Sequence, residues 1–117
     1  MIANKPIIGA TAMVYGFAMA ENLTKLAQNV RHVELRSYWT PEVNNFPNTN
    51  ELQQLRALKQ KLNLSLSVHL PPTLNLVLAE KAQQDTFVKL LIDLIQNMEQ
   101  LNPTGYVLHL GPNPPTL

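Results

Sequence analysis

The chain of 117 residues contains no cysteine and only four glycines. The absence of cysteine excludes a disulfide framework and a thiolate metal site, so any metal ion must bind histidine, carboxylate or water. It also fits the cytoplasm, which is the compartment we expect. The four glycines form neither a dinucleotide fingerprint nor a Walker-type loop. The sequence therefore offers no glycine-rich cradle for nucleotide phosphates.

Charge is also scarce: charged residues make up 15% of the chain, and the formal net charge is +1. The basic residues do not cluster, so we expect neither nucleic acid nor a membrane surface as a partner. No apolar run approaches the roughly 20 residues of a membrane-spanning helix. Hydrophobic residues nevertheless make up 45% of the chain. We therefore predict one packed globular domain over residues 1–117.

Hydrophobic patterning predicts four strands that alternate with three helices. Asn48, followed by Glu51, is typical of a capping box at the start of the second helix. The tail, 112–117, reads as a loop. Strand–helix alternation of this kind predicts right-handed crossovers and a parallel sheet. The four predicted strands are a buried strand at 6–15, strands at 32–37 and 64–70, and a last strand that begins at 105. The three predicted helices are 21–30, a helix that begins at 48 or 49, and 80–101.

Two architectures have this order. A doubly wound sheet carries helices on both faces, so its strands are apolar on both sides. A β/α barrel carries helices only outside, and its interior can be polar near the catalytic mouth. The second and third predicted strands each have a distinct polar side, which favours the barrel. Because a complete barrel takes about 250 residues and eight βα units, we predict an α/β fold that is half of a (β/α)8 TIM barrel, order βαβαβαβ, with parallel strands.

Two histidines stand near the ends of predicted strands. In the segment 64–70, His69 shares the polar side, and in the segment 105–110, His109 shares a side with Val107. Active sites of β/α barrels lie at the carboxyl ends of the strands. Neighbouring parallel strands are about 4.8 Å apart, so two imidazoles at matching levels can converge on one metal ion. Spacing alone does not distinguish such a metal site from two histidines that only form hydrogen bonds inside a polar barrel interior.

Further polar and aromatic residues lie on or just after the second strand. Glu34 is a candidate third ligand, substrate contact or general base, although an ion pair with Arg36 is an alternative. His32 stands at the amino end of the strand, away from the expected mouth, and we interpret it as structural. Tyr38 and Trp39 could stack on a planar ligand or cover the edge of the core.

Four segments together resemble the xylose-isomerase-like barrel superfamily. They are IGATAMVY at 8–15, VEL at 33–35, LSVHLP at 66–71 and YVLHL at 106–110. This superfamily includes sugar isomerases and epimerases, and also the endonuclease IV type of metal phosphodiesterase. Within it, the sequence is most similar to the amino-terminal halves of the cobamide-remodelling phosphodiesterases. The segment RSYW at 36–39 differs from the apolar and acidic residues expected there.

The resemblance implies a divalent-metal hydrolase, with zinc, manganese or cobalt, that acts on the nucleotide-loop phosphodiester of a corrinoid. Carried over by position, His69 and His109 would be metal ligands and Glu34 would be an active-site residue. Relatives place further ligands on later strands. The resemblance therefore implies that this amino-terminal half is inactive or nearly so by itself.

Two other functions stay open. One is a sugar-phosphate isomerase or epimerase barrel fragment, in which Glu34 is the proton-transfer base. The other is a non-catalytic interaction module, because an unclosed parallel sheet exposes its strand edges. Such a module would associate with itself or with a missing carboxyl-terminal half.

Overall fold

The computed structural model describes residues 7–12, 15–16, 18–77 and 79–110. Within these ranges the protein is an α/β fold whose strands and helices alternate in the predicted βαβαβαβ order. The four strands form one parallel sheet in the order β1-β2-β3-β4. The elements are β1 (Gly9–Thr11), α1 (Met19–Leu26), β2 (His32–Arg36), α2 (Thr49–Lys61), β3 (Ser65–His69), α3 (Lys81–Met98), a 3-10 turn (Glu99–Leu101) and β4 (Tyr106–Val107).

All three helices pack on one face of the sheet. Alternate residues of a strand share a face, and the buried residues of β2 and β3 belong to the same core as buried residues of every helix. The strand order also lacks the reversal that defines a doubly wound sheet. The strand residues of this core are Val33, Leu35, Leu66 and Val68, and the helical ones are Met19, Leu23, Leu26, Leu52, Leu55, Leu91, Leu94 and Met98.

The opposite face, which we call the open face, is polar and partly exposed. The polar side predicted for the second and third strands is therefore confirmed, and in the described ranges it is the side without helices. None of the described helices is both long and apolar enough to cross a lipid bilayer. The open face of β2 and β3 consists of His32, Glu34, Arg36, Ser65, Ser67 and His69.

The predicted capping box starts α2. The Asn48 side chain accepts a hydrogen bond from the Glu51 amide at 2.9 Å, and the Glu51 carboxylate accepts one from the Asn48 amide at 2.8 Å. This reciprocal pair satisfies two amides that the first turn of a helix otherwise leaves free. The chain therefore enters α2 at the position that the sequence indicates.

The turns that lead into β3 and β4 both contain an asparagine in the left-handed region. Asn63 follows α2 with φ 52°, and Asn102 follows the 3-10 turn with φ 48°. Asparagine tolerates this conformation, in which glycine usually ends a helix. The Lys59 ammonium joins the two turns, since it donates to the carbonyls of Leu101 at 2.8 Å and Asn102 at 3.2 Å. The amino ends of β3 and β4 are thereby held together.

The first strand and the first helix differ from their predicted forms. β1 is short, and of its residues only Ala10 is partly buried. Ile7 and Ile8, which precede β1 in the predicted strand, are 72% and 64% exposed. β1 forms an edge of the described sheet, where no described element covers it. α1 stops at Leu26, and a turn over 27–29 replaces the predicted last turn, although Val30 still reaches the core. Residues 6, 13 and 14 of the predicted first strand and the predicted loop at 112–117 lie outside the described residues.

Candidate functional site

The structure brings His69 and His109 into contact at the carboxyl end of the sheet. His69 is the last residue of β3 and pairs with Val107 of β4, two residues before His109. The two Nε2 atoms are 2.9 Å apart, and the ring centroids are 4.8 Å apart at an angle of 39°. His109 is exposed and His69 is partly buried. The pair is therefore a shallow site open to the side that carries no described helix.

For neutral rings, the contacts of the pair favour one arrangement of its hydrogens. The Leu70 carbonyl is 3.0 Å from His69 Nδ1 and can only accept, so His69 carries its hydrogen on Nδ1. The lone pair of His69 Nε2 then accepts the hydrogen of His109 Nε2. Metal-binding histidines usually donate their second ring N–H to a carbonyl or carboxylate in this way. His69 Nε2 is consequently oriented as a metal ligand or a proton acceptor.

Tyr106 anchors the strand that leads to His109. Its hydroxyl donates to the Glu99 carboxylate at 2.5 Å and lies 3.3 Å from the Ile95 carbonyl at the end of α3. Burial raises the pKa of Tyr106 above its ordinary value, and the hydrogen bond to Glu99 and the negative charge of Glu99 raise this pKa further. The neutral phenol therefore holds β4 against α3.

We expect alkaline pH to weaken this anchor. Because the folded pKa of Tyr106 lies above the unfolded value of 10.0, its stabilisation is complete below pH 10 and is lost as the pH rises through the folded pKa. Tyr106→Phe should lower the free energy of unfolding at pH 8 and reduce its decline between about pH 9 and 11. Urea unfolding at each pH measures both effects. The control Tyr15→Phe, at a tyrosine that is 44% exposed, should keep the decline, and an unchanged decline in Tyr106→Phe contradicts the assignment.

Glu34 lies on the open face but does not join the histidine pair. In β2 it is partly buried and pairs with Thr11 of β1 and Ser67 of β3. The alternative of an ion pair with Arg36 does not form, since the ion pairs of the described residues involve other side chains. The described ranges also contain no group of three or more His, Cys, Asp or Glu side chains that could hold a metal ion. The Glu34 carboxylate thus stands on this face without a described hydrogen-bonding partner.

His32 organises the amino half of the open face. Its Nδ1 lies 2.7 Å from Ser65 Oγ, and its Nε2 lies 2.9 Å from Ser67 Oγ. Both ring nitrogens are therefore satisfied within the sheet, as expected of a structural residue. Gly9 of β1 permits this ring position, because a Cβ there would lie 3.2 Å from two side-chain atoms of His32. Sequence reasoning missed the two serines as partners, although they share the polar side of the adjacent strand.

The aromatic segment after β2 covers the core. The Trp39 ring packs edge-to-face on Phe87 of α3, with centroids 5.8 Å apart and planes at 70°. Asn45 fixes the same loop, since its side chain accepts from the Tyr38 amide at 2.6 Å and donates to the Arg36 carbonyl at 2.9 Å. Of the two alternatives for Trp39, packing at the edge of the core is therefore the observed one.

Asn22 holds the loop that follows β1, and sequence reasoning gave it no structural role. It is fully buried in α1. Its Oδ1 accepts from the Tyr15 amide at 3.0 Å, and its Nδ2 donates to the carbonyls of Gly16 at 3.0 Å and Ala18 at 2.8 Å. This loop starts at the same end of the sheet as the histidine pair. Asn22 thus helps to hold the chain in place at that end of the sheet.

The spacing of the histidine pair is close to that of two nitrogen ligands of one zinc ion. Zinc–nitrogen bonds of about 2.0–2.1 Å at a tetrahedral angle place two ligating nitrogens about 3.3 Å apart. The observed 2.9 Å is slightly shorter, so metal binding requires the rings to separate by a few tenths of an ångström and the hydrogen between the two nitrogens to leave. Catalytic zinc usually has three protein ligands. The described residues bring two histidines together and no third group.

Comparison with known proteins does not assign the chain to a family. No protein-family model matches the sequence, and no curated protein is significantly similar to it.

Proposed function

We propose that the chain is half of a divalent-metal-dependent phosphodiesterase barrel of the xylose-isomerase-like type. Its substrate is the nucleotide-loop phosphodiester of a corrinoid, and a single copy is inactive or nearly so. The observation that carries the proposal is the contact between His69 and His109, with Nε2 atoms 2.9 Å apart at the carboxyl end of parallel strands. This is the end at which β/α barrels bind their substrates.

The fold supports the barrel part of the proposal. The strands follow one another in sequence order without a reversal, and the helices share one face. In a closed barrel, the helix-free face becomes the interior, and its upper part lines the mouth. Partly exposed polar side chains on the open face of β2 and β3 are suited to that position.

The chain's own residues would perform distinct tasks at this mouth. A bound divalent metal would lower the pKa of water and offset charge on phosphoryl oxygens. The Leu70 carbonyl holds His69 in the tautomer whose Nε2 can bind the metal. His109 must carry its hydrogen on Nδ1 and not on Nε2 before its own Nε2 can bind the metal. Arg36 pairs with His69 in the sheet register and is exposed, so its guanidinium is placed to orient a phosphate.

Metal binding tests the ligand assignment directly. We expect the metal-free chain to bind Zn²⁺ or Co²⁺ stoichiometrically in equilibrium dialysis, and His109→Ala to weaken binding by about 100-fold or more, since loss of even an outer-shell partner costs 10–100-fold. The matched control is His32→Ala, because both nitrogens of His32 already bond to serines and its loss should leave the affinity unchanged. Stoichiometric metal in His109→Ala would overturn the assignment.

The substrate is tested separately. The loaded chain is incubated with cobalamin, and chromatography follows cleavage of the nucleotide loop. Metal-dependent cleavage that His69→Ala abolishes supports the phosphodiesterase. If the chain binds metal but neither the monomer nor any oligomer of it cleaves cobalamin, the proposed substrate is wrong.

A further inference from the structure

We propose that two copies of this chain close into one eight-stranded barrel about a two-fold axis, with β4 of each copy pairing with β1 of the other. The inference rests on the half-barrel part of the proposed function and not on its chemistry. It names a second copy of the chain as the occupant of both outer edges of the described sheet.

Exposed apolar side chains lie along both edges. At the β1 edge, Ile7 and Ile8 are 72% and 64% exposed, and after β4, Leu108 and Leu110 are 46% and 61% exposed. The outward side of α3, the last helix before β4, adds further exposed apolar residues. Exposed apolar side chains next to an unpaired strand are suited to a contact with another chain. The α3 residues are Val88 and Ile92.

The backbone at each edge is also suited to strand pairing. The carbonyls of Gly105 and Val107 accept from β3, so the N–H and C=O of Tyr106, the residue between them, point away from β3. At the other edge, the Ile8 carbonyl and the Ala12 amide bond to β2, which directs the N–H and C=O groups of Gly9 and Thr11 outward. A second copy supplies both missing partners, because its β1 can continue the sheet beyond β4 in parallel.

Symmetry and strand number favour closure at two copies. The sheet of one copy has four strands in the described ranges, and eight is the strand number of a β/α barrel whose interior is filled by side chains. A two-fold axis along the barrel makes its two new contacts identical. Head-to-tail contacts that do not close produce open filaments instead. Closure also removes both exposed strand edges, which are otherwise sites of aggregation.

Closure would complete the rim that carries the histidines. All strands of the closed barrel run in one direction, so the histidine pair of each copy lies at the same mouth. The third and fourth strands of one copy are opposite those of the other. His69 and His109 of one copy therefore face a second pair across the mouth, whereas the described residues of one copy contain no group of three ligands.

Two measurements on the metal-free full chain test the inference. In sedimentation velocity, we expect a species of about twice the 13.1 kDa monomer mass. Since the chain has no cysteine, the variant Ile8→Cys/Leu108→Cys can be linked with a bis-maleimide shorter than the roughly 14 Å between β1 and β4 of one copy. We expect linkage to stop at a covalent dimer. The matched controls, Ile8→Cys alone and Leu108→Cys alone, should not be linked.

Each other outcome overturns the closed dimer. A monomer in sedimentation shows that the second copy is not the occupant, a ladder of trimers and longer products shows an open assembly, and linkage of a single-cysteine variant shows contact between like edges. Because no metal is present, a dimer that binds no metal contradicts only the proposed function. A monomer that binds zinc through His109 contradicts only this inference.

Discussion

Replacing Leu66 with alanine is expected to lower the free energy of unfolding by about 3–4 kcal/mol. Leu66 is fully buried in β3, between β2 and β4, and belongs to the core that all three described helices share. Truncation removes favourable burial and leaves a cavity that a tightly packed core fills poorly. Since small domains are stable by about 5–15 kcal/mol, this loss is a large share of the total. Urea unfolding followed by circular dichroism measures it.

The control for this prediction is Val43→Ala. Val43 lies in the loop after β2 and is 55% exposed, so its truncation should change the free energy of unfolding by no more than about 0.5 kcal/mol. Similar losses in the two variants would show that Leu66 is not at the centre of the core.

Asn22→Asp is expected to destabilise the protein by about 3 kcal/mol at pH 7, through a charge buried without a cation. The change keeps the side-chain shape but replaces the amide donor, which now reaches the Gly16 and Ala18 carbonyls at 3.0 and 2.8 Å. A carboxylate oxygen there would face two carbonyl oxygens, which repel it. We expect the segment 15–18 to detach from α1 before the sheet unfolds.

The pH dependence identifies the cause. Burial raises the pKa of the introduced carboxyl in the folded state above its unfolded value of about 3.9. The penalty is therefore largest at neutral pH and shrinks as the pH falls and the carboxyl becomes protonated. Unfolding measured at pH 7 and pH 4 should show this recovery relative to Asn29→Asp, the same change at an exposed residue. A penalty equal at both pH values would point to altered packing instead.

The order of the strands and helices could be predicted because the sequence patterns of these elements depend on interactions between residues close together in the chain. The alternation in β3 and the Asn48–Glu51 capping box each depend on a few neighbouring residues. The burial of the first strand could not be predicted, because an apolar run shows which residues can be buried but not whether a neighbour covers them. The end of α1 was misplaced for a related reason: Val30 has helical spacing from Leu26, yet it reaches the core from a turn.

The candidate site was predictable to the level of strand position. Side-chain alternation was sufficient to place His69 and His109 at the same end of the sheet, although β4 ends at Val107 and His109 follows it outside the strand. The direction of their hydrogen bond could not be predicted, since it depends on the Leu70 carbonyl and the ring orientations. The bond between His32 and Ser67 and the buried amide of Asn22 likewise depend on rotamers and the path of a loop.

Lys59, at the end of the sheet opposite the histidines, helps to set the position of β4, the strand that precedes His109. Its ammonium fastens the chain just before β4 to the last turn of α2, which leads into β3. Acetylation of this lysine would remove the charge and free the two carbonyls, and with them one restraint against lengthwise sliding of β4 along β3. A slide of one residue reverses the side on which every side chain of a strand projects, and His109 would then turn away from His69. A chemical change at one half-buried lysine of α2 would thus separate two imidazoles at the other end of the sheet.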